Sequence, residues 1–556
     1  MRSNGSYTNR RLSDQVDMQH TLLIALVILA GALLRLFMLT NQSLWFDEGQ
    51  SLVVTDSKTL AGTLYELSTR AGGDKYQPLY FLVLSIWRSI MGDSEFSLRL
   101  LSVLPGVVAL FFMYAAVSNI YGSRHAFWST TYLTVSAFWI CYSQEVRPYS
   151  LLFALSVIQL FLISTVFTVS TSESATPGKT PIALFALVTG LSCFASILLV
   201  AFTIALSLAH MSIVRRASDW LKWWVPALIA CIPAGVYLIG TPAVGELTVD
   251  STNGLGLPLY KNSLFALYGV LVGHTFGPPL DALREGGNLS QGILQYIWPL
   301  SALVLASLVL CIGFVSSQLL PHNRQKSESY TVNRNRFFLV LLISSFVMAM
   351  LVAKVSAINW MPRHSFYLTI PVAVLLPLAF TPHRLQSDKV FIKRIGQSAQ
   401  IAFIALLAMN LYATYNYFHK SEYWRDDYRS AASYLASNLT ETDRAIMLWG
   451  EPRLLSYYGD TSTQDRWEVD PSPVSTVMDG VYSDGGKVFV AINREFTWSR
   501  GLPTSDNIET QVAEKYNLLS VKRYVNFNIY EFENNSPSTE TLLPLSSSVE
   551  VKLQAM

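Results

Sequence analysis

Two adjacent carboxylates, Asp47 and Glu48 in "NQSLWFDEGQSL", lie a few residues beyond an apolar run. Trp45 and Phe46 beside them are residue types that settle at a membrane interface. Partial burial there raises a carboxylate pKa toward the range of a general base; an ordinary solvated charge pair is the alternative. In "CYSQEVRPYS" (141–150), Glu145 and Arg147 are pinched between two apolar runs with almost no loop. Charges so close to hydrocarbon are costly unless paired or turned to a cavity. They read as part of a site, as a Glu145–Arg147 ion pair, or as an arginine snorkelling to headgroups. "NWMPRHSFYL" places Arg363 and His364 behind a proline turn at the start of a span. Two cations there can hold a lipid phosphate, the arginine through its bidentate fork, or simply anchor headgroups. "GGDKYQPLYF" adds Lys75 and Tyr76. Arg35, near the end of the first span, fits snorkelling, and His274 in "VGHTFGPP" fits a structural role. Asp47, Glu48 and Glu145 offer the oxygen ligands of a divalent cation, but their spacing does not require one. This set suits a base that deprotonates a hydroxyl while cations neutralise a departing lipid phosphate, and the second effect is the larger.

Such residues need elements to carry them. The 556-residue chain is 51% hydrophobic and 14% charged, against about 25% charged in soluble domains. That composition marks a polytopic membrane protein. Residues 1–20 are polar and basic, and the run 21–40 is long enough to span. With no small-residue cleavage site after it, it reads as a retained first helix, and Arg10 and Arg11 put the N-terminus in the cytoplasm. Apolar runs recur at 100–120, 126–142, 151–170, 182–209, 223–240, 297–320, 337–353, 366–380 and 398–417. The basic connections "YGSRH", "VRRASDWLK", "PHNRQKSESYTVNRNR" and "TPHRLQSDKVFIKRIGQ" belong inside by the positive-inside rule. Parity then makes 182–209 cross twice, as two short helices or a re-entrant hairpin, and leaves 78–92 as an interfacial helix. The total is about 11 spans. Loops 41–98 and 241–296, the segment "AKVSAINWMPRHSF" and the pinched 141–150 all fall on the extracytoplasmic side. All four cysteines, Cys141, Cys193, Cys231 and Cys311, read as core packing.

Residues 418–533 change character, with an amphipathic helix in "WRDDYRSAASYLASNL" and strands in "RAIMLW", "KVFVAI" and "LLSVKRYVNFNIYEFE". About 115 residues suffice for one small extracytoplasmic α/β domain. No catalytic signature lies in it, and a lid or an acceptor-docking module is its expected role. The Ser/Thr/Pro-rich 534–556 reads as a disordered tail. The fold class is therefore an α-helical polytopic membrane protein, with a transmembrane domain over 21–417 and this C-terminal domain.

"SLWFDEGQSL", "QPLYFLVLSIWRSIMGDSEFSLRLLSVLPGVVAL", "YSQEVRPYSLLFALS" and "PRHSFYLTIPVAVLL", in that order, resemble glycosyltransferase family 39-like membrane proteins of the GT-C superfamily. That group includes protein O-mannosyltransferases and aminoarabinose transferases. The resemblance implies inverting transfer of a sugar from a polyprenyl-phosphate donor to an extracytoplasmic acceptor, as by a hexosyl- or mannosyltransferase, with mannose, other hexoses and aminopentoses all open. It places the base on Asp47 with Glu48 beside it, and a second acidic position on Glu145. Donor contacts fall on Lys75, Tyr76, Arg147, Tyr149, Arg363 and His364. The family's basic residue before "PPLY" corresponds to Tyr76 here, with Lys75 one position earlier, and His364 stands where tyrosine is usual. No cofactor is implied beyond a divalent metal, left open on Asp47 and Glu145. The partners implied are the lipid-linked donor, a protein, lipid or glycan acceptor, and membrane lipid, with no nucleic acid. A transporter or flippase needs ionisable groups or broken helices near mid-membrane, and a non-catalytic scaffold would work through residues 418–556 alone. These are the alternatives to an enzyme of the cell membrane.

Overall fold

The computed structural model describes residues 4–69, 73–169, 178–214, 216–241, 259–279, 293–319, 328–355, 361–380, 390–441, 443–448, 450–459, 467–469, 487–493 and 517–533. Most of the 241–296 loop and the tail after 533 lie outside the described residues. The first half runs α1 (Asn4–Leu36), α2 (Phe46–Val54), α3 (Leu60–Thr69), α4 (Pro78–Met91), α5 (Glu95–Tyr121), α6 (Ser123–Val135), α7 (Ala137–Ser143) and α8 (Tyr149–Val169). There follow α9 (Lys179–Ala195), α10 (Ile197–Met211), α11 (Ala217–Ala230), α12 (Ile232–Gly240), α13 (Leu259–Val272), α14 (Ile297–Leu319) and α15 (Glu328–Val355). A 3₁₀ turn at Pro362–Leu368 leads into α16 (Thr369–Leu375), and α17 (Val390–His419) closes the bundle.

Among the described residues seven helices are long and apolar enough to cross a bilayer, and the bent pair α11–α12 makes an eighth. The chain is thus a multi-pass membrane protein. The other three of the eleven expected crossings are broken or short. The run 126–142 splits at Ser136 into α6 and α7, and 182–209 splits at Ser196 into α9 and α10. The 40° bend between α11 and α12 falls at Cys231, just ahead of Pro233, which lacks the amide hydrogen a continuous helix needs.

Backbone freed by a break within a membrane domain must find protein partners. At Ser136 the Ala137 N–H goes to Asn410 Oδ1 of α17 (3.1 Å). The carbonyls of Leu133 and Thr134 take Arg35 (3.2 and 3.4 Å), whose side chain also reaches Ser143. Arg35 is therefore buried inside the bundle and does not snorkel. Its work is to hold the broken helix that delivers the 144–148 corner. Cys141 and Cys193 are buried as core packing expects, whereas Cys231 is only partly buried. Cys311 is exposed on the outside of the bundle, while Cys193 and Cys231 bring their Sγ atoms to 3.2 Å across two helices.

The C-terminal domain opens with α18 (Tyr428–Asn438), β1 (Arg444–Leu448) and α19 (Pro452–Tyr458), followed by β2 (Trp467–Val469), β3 (Lys487–Asn493), β4 (Leu518–Tyr524) and β5 (Phe527–Glu533). The sheet order is β2-β1-β3-β5-β4, with β1 parallel to β2 and β3 and with β5 antiparallel to β3 and β4. The stretch "LLSVKRYVNFNIYEFE" is a hairpin whose turn uses Asn526 at φ +54°, a conformation asparagine tolerates.

One apolar core runs through this domain into the first loop. Leu44, Leu52, Phe81, Leu84 and Leu98 share it with Tyr428, Leu435, Leu454, Phe489 and Phe527. The contact is close at Gly49, where a Cβ would stand 2.6 Å from Glu451 Cγ and 2.8 Å from Leu454 Cγ. The domain is thus fastened to α2, the helix that bears Asp47 and Glu48. A Gly49→Val variant is expected to lower stability by about 1–3 kcal/mol through overpacking, read as a lower melting temperature in detergent. An unshifted melt would show that α2 and α19 do not meet.

Candidate functional site

The site is built around α2. Its first turn begins at Phe46, so Asp47 and Glu48 lie at the positive end of the helix, but the two carboxylates point to different environments. Glu48 is fully buried. It accepts four hydrogen bonds: from Arg99 Nε (3.0 Å) and Nη2 (2.8 Å), from the Val146 amide (2.8 Å) and from the Trp45 amide (3.2 Å). Arg99 spends its remaining donors on the carbonyls of Leu39, Gln42 and Ser43. With every Glu48 lone pair directed at a protein donor, its geometry is that of a structural knot.

Asp47 is the accessible acid. It faces Arg363 at 3.4 Å, and both side chains keep 19% of their exposure. Burial acts to raise its pKa, but Arg363, Arg147, Arg425 and His364 outweigh it and hold the carboxyl below its usual value. This reverses the sequence expectation of a raised pKa at Asp47. The raised carboxyl is Glu145, where burial dominates and Glu48 adds repulsion, with Arg425 and Arg363 opposing. Glu145 is not paired with Arg147. Its Oε1 takes Arg425 Nη2 at 2.9 Å, and among the described residues its buried Oε2 has no hydrogen-bond partner.

Arg147 turns instead to Asp74, through Nη2 to Oδ1 (2.7 Å) and Nη1 to Oδ2 (3.2 Å), and also touches the Asp47 carbonyl (3.2 Å). Buried Nε atoms of Arg147 and Arg363 have no partner among the described residues. The Trp45 ring is the platform beneath the cations, with Arg425 at 4.1 Å and Arg363 at 5.8 Å from its centroid. Tyr149 is buried at the start of α8, within reach of the charges of Arg363 and Arg147.

The remaining sequence candidates sit at the margin. The 3₁₀ turn Gly73–Tyr76 delivers Asp74 to Arg147. Lys75 is buried with its ammonium 5.1 Å over the Tyr76 ring, and its carbonyl accepts from Tyr237 on α12 (3.0 Å). His364 accepts the Met361 amide at Nδ1 (3.2 Å), which caps the 3₁₀ turn and aims Arg363. His274 is drawn toward the site, with its pKa lowered to about 3 by burial, then by Arg425 and Arg363. As for a metal, among the described residues no three His, Cys, Asp or Glu side chains are grouped to hold one. Asp47 and Glu145 each face a guanidinium. Sequence reasoning missed Asp74, Arg99 and Arg425. Arg99 carried a signal, a lone cation inside an apolar run, and Arg425 stands just after the last span in "YWRDDYR".

No family model matches the chain, and no curated protein matches it by sequence. Among solved structures, ArnT from Cupriavidus metallidurans, crystallised with undecaprenyl phosphate, superposes with a TM-score of 0.50 at 12% identity. The match covers 93% of this chain and 98% of that one. The Archaeoglobus fulgidus oligosaccharyltransferase tethered with an acceptor peptide gives a TM-score of 0.46 at 11% identity, over 93% of this chain and 74% of that one. The chain has the GT-C fold. At such identity the likeness is one of architecture, and the chemistry has to be argued from the side chains.

The Glu48–Arg99 knot can be tested directly. Glu48→Gln leaves Arg99 buried without its counter-charge and is expected to cost about 3–5 kcal/mol, whereas a Glu48→Leu, Arg99→Met double variant should cost less than that. Unfolding in detergent micelles reads both; a single variant as stable as wild type would remove the knot.

Proposed function

We propose that the protein is a membrane glycosyltransferase that moves a sugar from a polyprenyl-phosphate donor to an acceptor hydroxyl on the extracytoplasmic side, with inversion. The observation that carries this reading is the Asp47–Arg363 pair. It puts a partly exposed carboxylate beside a partly exposed guanidinium, with Arg147 and Arg425 acting on the same carboxylate. A base for an incoming hydroxyl and a cation for an outgoing phosphate stand within one ion-pair distance.

On this reading Asp47 takes the acceptor's hydroxyl hydrogen as the oxygen attacks the anomeric carbon from the face opposite the phosphate. The carbon–oxygen bond to phosphate breaks, and its electron pair leaves on the polyprenyl phosphate, which gains one negative charge. Arg363 and Arg147, each with a buried Nε that has no partner among the described residues, are the groups that would stabilise such a charge. Binding of the donor also tunes the base. A phosphate drawn to Arg363 withdraws the cation that depresses Asp47, so the carboxylate becomes more basic only when the donor is in place. Glu48 then acts as a positioning residue, since its oxygens are taken up by Arg99, Val146 and Trp45. A hexose or mannose-like sugar and a protein, lipid or glycan acceptor fit this chemistry equally.

The gathering of charge at one end of the bundle favours an enzyme over a transporter, which places ionisable groups near mid-membrane. Purified protein in nanodiscs, offered a panel of radiolabelled polyprenyl-phosphate sugars and membrane extract, is expected to transfer label from one donor. Asp47→Asn should lower that rate by about 10²–10⁴-fold with an unchanged melt. Arg363→Gln should lower it by about 10²–10³-fold and weaken undecaprenyl phosphate binding. Full activity in Asp47→Asn would remove Asp47 as the base.

A further inference from the structure

The C-terminal domain enters the site through Arg425, and the chain on both sides of that residue is pinned. The Arg425 amide donates to Gln42 Oε1 (3.2 Å), and Ser43 donates to the Asp426 carbonyl (2.6 Å). Asp427 caps α18 by accepting the Ser430 amide (3.1 Å). The guanidinium is thus delivered by an anchored backbone onto the Trp45 ring and Glu145.

Glu145 has an unusual balance of partners. Oε1 is held by Arg425 at 2.9 Å, with the Cys141 thiol at 3.8 Å. Oε2 is buried and has no hydrogen-bond partner among the described residues, on a side chain only 4% exposed. A buried acceptor left unpaired carries a desolvation cost, and a buried anion can be kept only beside a cation. The other charges acting on it are Arg363, which is attractive, and Glu48, which is repulsive. Tyr80, Tyr142, Tyr149 and Tyr417 stand around it. Arg425 is the nearest counter-charge, and it comes from 280 residues away.

We propose that Arg425 is a positioning residue through which the C-terminal domain completes the site: it fixes Glu145 as an anion whose free oxygen receives a hydroxyl hydrogen of the bound sugar or acceptor. This rests on the glycosyl-transfer reading above. It differs from a role for Arg425 as a direct ligand of the donor phosphate, because the guanidinium is already engaged by Glu145 and the indole face.

Two measurements test it, one of them independent of activity. Infrared titration of the full-length protein follows the protonated-carboxyl band of Glu145, assigned as the band lost in Glu145→Gln. In Arg425→Gln its midpoint is expected to move up by about 1–3 pH units, the effect of removing an adjacent opposite charge. Arg425→Lys should restore most of the shift, and it serves as the folded variant should the glutamine form not assemble. In the transfer assay the acidic limb of kcat/KM should move up with it, while binding of undecaprenyl phosphate stays within about threefold of wild type. Arg425→Gln should also cost less in the Glu145→Gln background than it does alone, the remainder being the loss of its charge beside Asp47. An unmoved infrared midpoint overturns the proposal. So does an Arg425→Gln variant that loses undecaprenyl phosphate as Arg363→Gln does, since that makes it a phosphate ligand. If wild type transfers no label at all, the glycosyltransferase reading falls, and the infrared titration still decides the Arg425–Glu145 relation.

Discussion

A carboxylate buried without partners carries a desolvation cost, and in this protein Glu48, whose two oxygens are both fully met by protein donors, sets the positions of everything around it. Its donors come from the first turn of α2, from Arg99 of α5, and from Val146 in the corner between α7 and α8. Arg99 in turn gathers the carbonyls of the 39–43 loop. Desolvated charge pairs of this kind are strongly destabilised by the loss of either partner, so the three segments are held together as one unit. Asp47 is one residue from the knot, Glu145 and Arg147 flank Val146, and Gln42 and Ser43 anchor the chain that carries Arg425. The placement of these side chains follows from a group that is itself sealed from solvent.

The two remaining acids show how environment divides labour between like side chains. Asp47 keeps partial exposure and stands among several cations, so it stays ionised in the unliganded protein. Glu145 is deeper, and burial pushes it upward against a single close arginine. Acids and bases are commonly assigned from such divergence between neighbouring titratable groups. Here it separates a partly exposed acid from a buried one whose nearest cation lies 280 residues away in the sequence.

The domain expected over residues 418–533 packs directly against the segment that bears Asp47 and Glu48. Its sheet and α18 share an apolar core with α2, α4 and α5, and Tyr458, Arg429 and Tyr457 hydrogen-bond to the loop and to the start of α5. A shared core does not open at low cost, because separating it would expose large apolar side chains. The domain is therefore fixed beside α2, and Arg425, ahead of α18, reaches Glu145.

Much of this was legible in the sequence because the signals were local. Apolar runs marked the spans. Charge parity marked the doubled crossing in 182–209, short apolar runs marked β1 and β3, and charges stranded between spans marked Glu145, Arg147 and Arg363. The resemblance to GT-C proteins matched the architecture. What could not be read was which acid meets which cation. Glu48 pairs across 51 residues, Arg147 across 73 and Glu145 across 280, and no local pattern encodes such distances. The sequence by itself determined that acids and arginines would gather at one end of a helical bundle, since hydrocarbon rejects unpaired charge and leaves them nowhere else to go. Only the tertiary structure decided that Glu48 is sealed, Asp47 is open and Glu145 answers to Arg425, because burial and pairing are properties of the assembled core.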